Sequence, residues 1–132
     1  MLRVGSLERS IAFYTTHLGM KLLRTWDNPE EKFTLAFLGY GNEAEGTVLE
    51  LTYNYGQEKY EHGGAYGHIC IGVEDVDADV VRLRAAGVEI DYHSDNGFMA
   101  FIVDPDGYYI ELLNEKRMVN NALKAMADQG TA

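Results

Sequence analysis

The chain repeats itself. Val4, Leu7, Ile11 and Tyr14 are answered by Val73, Val76, Val80 and Leu83, each 69 positions later, and Gly19 is answered by Gly87. Ala36-Phe37-Leu38 returns as Ala100-Phe101-Ile102, and Leu49-Glu50-Leu51 as Ile110-Glu111-Leu112. A supersecondary unit used twice implies one geometry used twice, with apolar faces that must be buried. This restricts the fold more than any single motif, because both halves must read as the same order of elements.

They do. Met1 to Val4 reads as a strand, Ser6 caps a helix with Leu7, Ile11, Tyr14 and Leu18 on one face, and Gly19 ends it. Met20 to Arg24, Phe33 to Leu38 and Thr47 to Tyr53 read as three strands, with Asp27 to Glu30 and Gly39 to Gly46 as loops. The polar connection Gln57 to Gly64 separates the halves. His68 to Val73 is then a strand, Asp75 caps a second helix, and Val88 to Ile90, Phe98 to Val103 and Tyr108 to Asn114 are strands. Val119, Ala122, Leu123 and Met126 mark an amphipathic tail helix ending near Gly130. The expected modules are residues 1–60 and 61–115, followed by a tail over 116–132, in an α+β fold of paired βαβββ units.

Asp104-Pro105-Asp106-Gly107 is a tight turn before the last strand. Alternation puts Tyr109, Glu111 and Leu113 on one face, so a carboxylate sits among large apolar neighbours. From that strand alone, an edge strand with Glu111 in water is the simpler reading. The repeat changes this, because Glu50 holds the same place in the first half. His68, by itself a structural residue at a strand start, then becomes a candidate nitrogen donor beside two hard oxygens. Its counterpart in the first half would fall two positions before Met1, where a further histidine is expected.

Other features narrow the class. The net charge of −10 argues against nucleic acid or an anionic membrane as partner. Cys70 is the single cysteine, which fits a reducing compartment and reads as a small core residue. No run has the length of a membrane span, so a cytoplasmic protein is expected. His17, His62 and His93 lie at a helix end, in a loop and in a hairpin, and are not assigned to a metal.

The stretches MLRVGSLERSIAFYTTHLGMKLLRT, TVLELTYNYG, AYGHICIGVEDV and FIVDPDGYYIELLNE resemble glyoxalase I (lactoylglutathione lyase) of the vicinal oxygen chelate superfamily. The resemblance covers Met1 to about Glu115 and is most similar to the trypanothione-dependent branch. It implies a cupped eight-stranded mixed sheet and a homodimer whose metal sites draw on both protomers. The implied ligands are Glu50, His68, Glu111 and the histidine expected upstream of Met1, around Ni²⁺ or alternatively Zn²⁺.

The implied substrate is the hemithioacetal of methylglyoxal with trypanothione or glutathione. Glu111 would be the general base and Glu50 the second carboxylate, while Arg3 and Asn54 match residues that hold the γ-glutamyl end. Asp91 and Tyr92 lie where glutathione enzymes carry basic residues, and an acidic, aromatic rim suits a cationic thiol conjugate. A plain hydrophilic hairpin is the other reading of that segment. The alternatives for the whole chain are a metal-free ligand-sequestering protein, or a dioxygenase, epimerase or thiol transferase of the same superfamily.

Overall fold

The computed structural model describes residues 1–130. The chain divides into two compact units, Met1–Tyr66 and a second from Gly67 on. Unit 1 holds β1 (Leu2–Arg3), α1 (Leu7–Thr16), β2 (Lys21–Asn28), β3 (Phe33–Gly39) and β4 (Leu49–Asn54). Unit 2 holds β5 (His68–Val73), α2 (Val76–Ala85), β6 (Ile90–His93), β7 (Met99–Val103), β8 (Tyr109–Asn114) and α3 (Glu115–Asp128). Each unit is therefore βαβββ, and α3 follows the second.

The repeat extends to register. The sheets run β1-β4-β3-β2 and β5-β8-β7-β6. In each, the first strand lies parallel to the last, and the remaining pairs are antiparallel. Leu2 opposes Leu51 as Ile71 opposes Leu112, and Leu38 opposes Leu49 as Ile102 opposes Ile110. Each sheet also has one irregularity at the same place, between Leu22 and Arg24 and between Ile90 and Tyr92. A bulge re-aims the residue that follows it. Here it sets Arg24 opposite Phe37 and Tyr92 opposite Phe101.

Both helices start as the sequence implies. Ser6 accepts from the Arg9 amide and Asp75 from the Ala78 amide, so each cap satisfies one amide of its first turn. Gly19 and Gly87 lie just beyond the helices at φ +69° and +81°, angles that a residue with a Cβ adopts reluctantly. The unit 1 core includes Val4, Tyr14, Ala36, Leu38 and Leu51, each with no exposed surface. In unit 2, Val80, Leu83, Ile102, Ile110 and Leu112 play the same part. The strand residues among these lie on the sheet face that packs against α1 or α2, so the glutamates lie on the other face.

Two strand expectations are corrected. The second strand does not stop at Arg24. It runs to Asn28, because the residues expected as a polar loop pair with β3, Asp27 opposite Thr34 and Asn28 opposite Phe33. The strand expected at Val88 to Ile90 lies instead at Ile90–His93, where the bulge at Asp91 lets Tyr92 and His93 rejoin the ladder. The tail helix has the expected amphipathic pattern; none of its residues is buried, and Val119, Leu123 and Met126 are exposed.

Candidate functional site

In unit 2, β8 places Glu111 between Cys70 of β5 and Phe101 of β7. The turn before β8 fixes that register. The Asp104 carboxylate, itself buried, accepts from the amides of Asp106 and Tyr108 at 2.8 and 2.9 Å, and Gly107 sits at φ +85°. Ile110 and Leu112 then point into the core, so Glu111 must face the other way. It is nevertheless only 8% exposed, with Cys70 and Phe101 on either side of it.

A buried carboxylate needs partners. Glu111 has the His68 imidazole, with Nε2 and Oε2 3.2 Å apart. It also accepts from the Cys70 thiol, whose pKa is pushed up to about 11 by desolvation, then by the charge and hydrogen bond of Glu111. Cys70 is therefore not the core residue expected. It is exposed and, two residues from His68, shares the glutamate face, where a protonated thiol is a weak donor. The His68 ring meets Phe101 edge-on with centroids 5.0 Å apart. Tyr92, half-exposed, completes the row at 6.4 Å from Phe101, with Asp91 as the exposed bulge residue beside it.

In unit 1, β4 places Glu50 opposite Phe37, and Arg24 lies over the Phe37 ring at 3.6 Å. Arg24 is clamped by Glu43 through two bonds of 2.8 and 3.1 Å. Glu50 is only half-buried and accepts from the Thr52 hydroxyl at 3.4 Å. By alternation Glu50, Thr52 and Asn54 share a face, and Arg3 is opposite Thr52 on β1. Arg3 and Asn54 are thus gathered beside Glu50, with Asn54 also donating to the Tyr60 hydroxyl at 3.0 Å.

Sequence reasoning passed over Phe37, Phe101 and Arg24 as members of these faces. The signal was present for the aromatics, since Ala36-Phe37-Leu38 and Ala100-Phe101-Ile102 are themselves a repeat. Arg24 and Tyr92 depend on the bulges, which no spacing reveals.

Among the described residues, no three His, Cys, Asp or Glu side chains gather into a metal cluster. The pair His68 and Glu111 does suit one ion. Two donors bound to one cation at right angles lie about 3 Å apart, and imidazole with carboxylate is a set taken by nickel or zinc.

The comparisons agree with this architecture. Residues 1–112 match the family model described as Glyoxalase/Bleomycin resistance protein/Dioxygenase superfamily. A lactoylglutathione lyase of Haemophilus influenzae is 52% identical over 121 residues, covering 88% of this chain and 90% of its own. The solved trypanothione-dependent glyoxalase I of Leishmania major is 64% identical, with a TM-score of 0.98 over 100% of this chain and 95% of its own. Glyoxalase I of Zea mays is 44% identical, with a TM-score of 0.79 over 85% of this chain and 42% of its own. Two βαβββ units with matched glutamates, and these likenesses, place the chain in the glyoxalase/bleomycin resistance protein/dioxygenase superfamily.

Proposed function

We propose that this chain is a glyoxalase I, which isomerises the hemithioacetal of methylglyoxal and a thiol to the S-D-lactoyl thioester. The observation that carries this reading is Glu111, a carboxylate 8% exposed, held by His68 and facing away from the core. Carboxylates are seldom buried without a chemical reason. The relatives named above supply the reaction class.

The reaction moves a proton from C1 of the substrate to C2. Glu111 accepts the C1 proton, and the enediolate is reprotonated at C2. Little water reaches Glu111 to compete for that proton. Phe101, beside Glu111 in its sheet, would help exclude water from the reacting carbon, and Glu50 would serve as the second carboxylate. The resemblance implies that Glu50, His68 and Glu111 would help hold the cation in a homodimer that shares its sites. Nickel is the first choice and zinc the alternative. Such an ion supplies Lewis-acid stabilisation of negative charge on the substrate oxygens.

The thiol end rests on smaller observations. Arg3 and Asn54 stand beside Glu50 with donors suited to a γ-glutamyl group. Asp91 and Tyr92 are exposed at the end of the Glu111 row. An acid and an aromatic ring favour a polyamine conjugate over the free carboxylate of glutathione. We therefore read trypanothione as the preferred thiol, in a cytoplasmic enzyme that removes methylglyoxal.

Thioester formation by the full-length, nickel-loaded protein, with glutathione and trypanothione adducts side by side, tests the reading. Faster turnover of the trypanothione adduct is expected. Equal rates would remove the polyamine argument, and no thioester from either adduct would remove the lyase itself.

A further inference from the structure

The first turn of α3 is tied to unit 2 at several points, although the rest of the helix is exposed. Its cap Asn114 donates from Nδ2 to the Glu74 carbonyl at 3.0 Å and accepts from the Arg117 amide at 3.0 Å. Glu115 packs on Gly72 of β5, where an added Cβ would lie 3.4 Å from its Cβ and Cγ. A side chain at 72 would therefore press against the start of the helix.

Arg117 then reaches the hairpin between β6 and β7. Its Nη1 donates to the Asn96 carbonyl at 2.7 Å, and its guanidinium lies 4.9 Å from the centroid of the Phe98 ring. On its other side the hairpin meets α2, where Asp77 Oδ1 lies 2.6 Å from His93 Nε2. Inside it, Ser94 Oγ accepts from the amides of Phe98 and Met99, both at 3.0 Å. The hairpin is thus clamped between two helices, and β6, its leading strand, carries Asp91 and Tyr92.

We infer that Arg117 is a positioning residue for the thiol end of the substrate site. By holding the hairpin from α3, it sets where Tyr92 stands beside Phe101, and so sets substrate affinity without touching the substrate. This rests on the reading of Asp91 and Tyr92 as thiol contacts. The reach needs arginine, since one planar group both donates to a carbonyl and lies against a ring. Lysine keeps the charge and a donor but loses the planar group.

The test compares Arg117→Ala, Arg117→Lys and Tyr92→Ala in the full-length nickel-loaded enzyme with the trypanothione adduct. It reads kcat and KM together with amide hydrogen exchange over residues 94–99. Arg117→Ala is expected to raise KM about fivefold, the scale of one charge-assisted contact at an exposed site, and to leave kcat within about twofold. Exchange at Phe98 and Met99 should quicken, with Arg117→Lys intermediate in both readouts. A higher KM for Tyr92→Ala with an unchanged KM for Arg117→Ala would overturn the inference and leave the Tyr92 reading standing. An unchanged KM in both would show that the Tyr92 reading had failed and the inference with it. Unchanged exchange in Arg117→Ala would also overturn it, since the hairpin would then be held without that side chain.

Discussion

Glu50 and Glu111 occupy one place in two sheets of matching register, and their surroundings differ. Across unit 1 the row reads Glu50, Phe37, Arg24, and across unit 2 it reads Glu111, Phe101, Tyr92. The first ends in a cation clamped by Glu43, and its glutamate is half-buried beside a hydroxyl. The second ends in a half-exposed phenol, and its glutamate is buried against an imidazole and a thiol. A duplicated backbone has thus given two carboxylates unequal access to water. On the proposed reading, that inequality would separate the proton-transfer group, Glu111, from the supporting carboxylate, Glu50, because a base shielded from water competes best for the substrate's proton.

The largest predicted effect tests this inequality. Glu111→Gln should lower kcat about a thousandfold, the scale of a lost general base, while some divalent ion remains bound. Glu50→Gln should cost clearly less when thioester formation is followed under the same conditions. The reverse order would assign the base to the wetter carboxylate.

A second test asks whether the cores match as well as the backbones do. Leu51→Ala and Leu112→Ala remove equivalent buried side chains, and each should cost about 3 kcal/mol in denaturant unfolding. If one of the two leaves stability unchanged, the symmetry ends at the backbone. The caps give a smaller version of the same comparison. Ser6→Ala and Asp75→Ala should each cost about 1 kcal/mol, with Asp75 the greater if its shorter bond, 3.0 against 3.3 Å, reports strength.

The smallest effect concerns a thiol that unit 1 lacks. Cys70 has its pKa raised to about 11, so it is protonated at neutral pH, and its alkylation should climb steeply as pH rises toward that value. Removing the negative charge at 111 favours the thiolate. Glu111→Gln should therefore lower the Cys70 pKa and speed alkylation severalfold at pH 8, as measured by iodoacetamide labelling. An unchanged rate would mean that Glu111 does not govern the thiol.

Much of this was legible in the chain because the repeat is written in apolar spacing. Val4 to Tyr14 and Val73 to Leu83 fix two helices on two sheets, and the matched Leu-Glu-Leu and Ile-Glu-Leu fix which strand faces carry carboxylates. The bulges were not legible. They arise where an extra residue is taken up inside a strand, and nothing in Leu22-Leu23-Arg24 or Ile90-Asp91-Tyr92 marks that choice. The strand boundaries at Asn28 and His93 were misplaced for a related reason. Pairing with β3, and the contact of His93 with Asp77, outweigh the polarity of those segments. The side of Cys70 was missed because a cysteine is chemically at home in a core or on a face.

Equilibrium binding of Ni²⁺ to the full-length protein, compared with His68→Ala, bears most directly on the claim that His68 and Glu111 are two donors to one ion. About one ion per site is expected, with affinity reduced on the order of a hundredfold or more when the imidazole is removed. A full-length protein that retains no divalent ion, or a His68→Ala variant that binds it equally well, would contradict it.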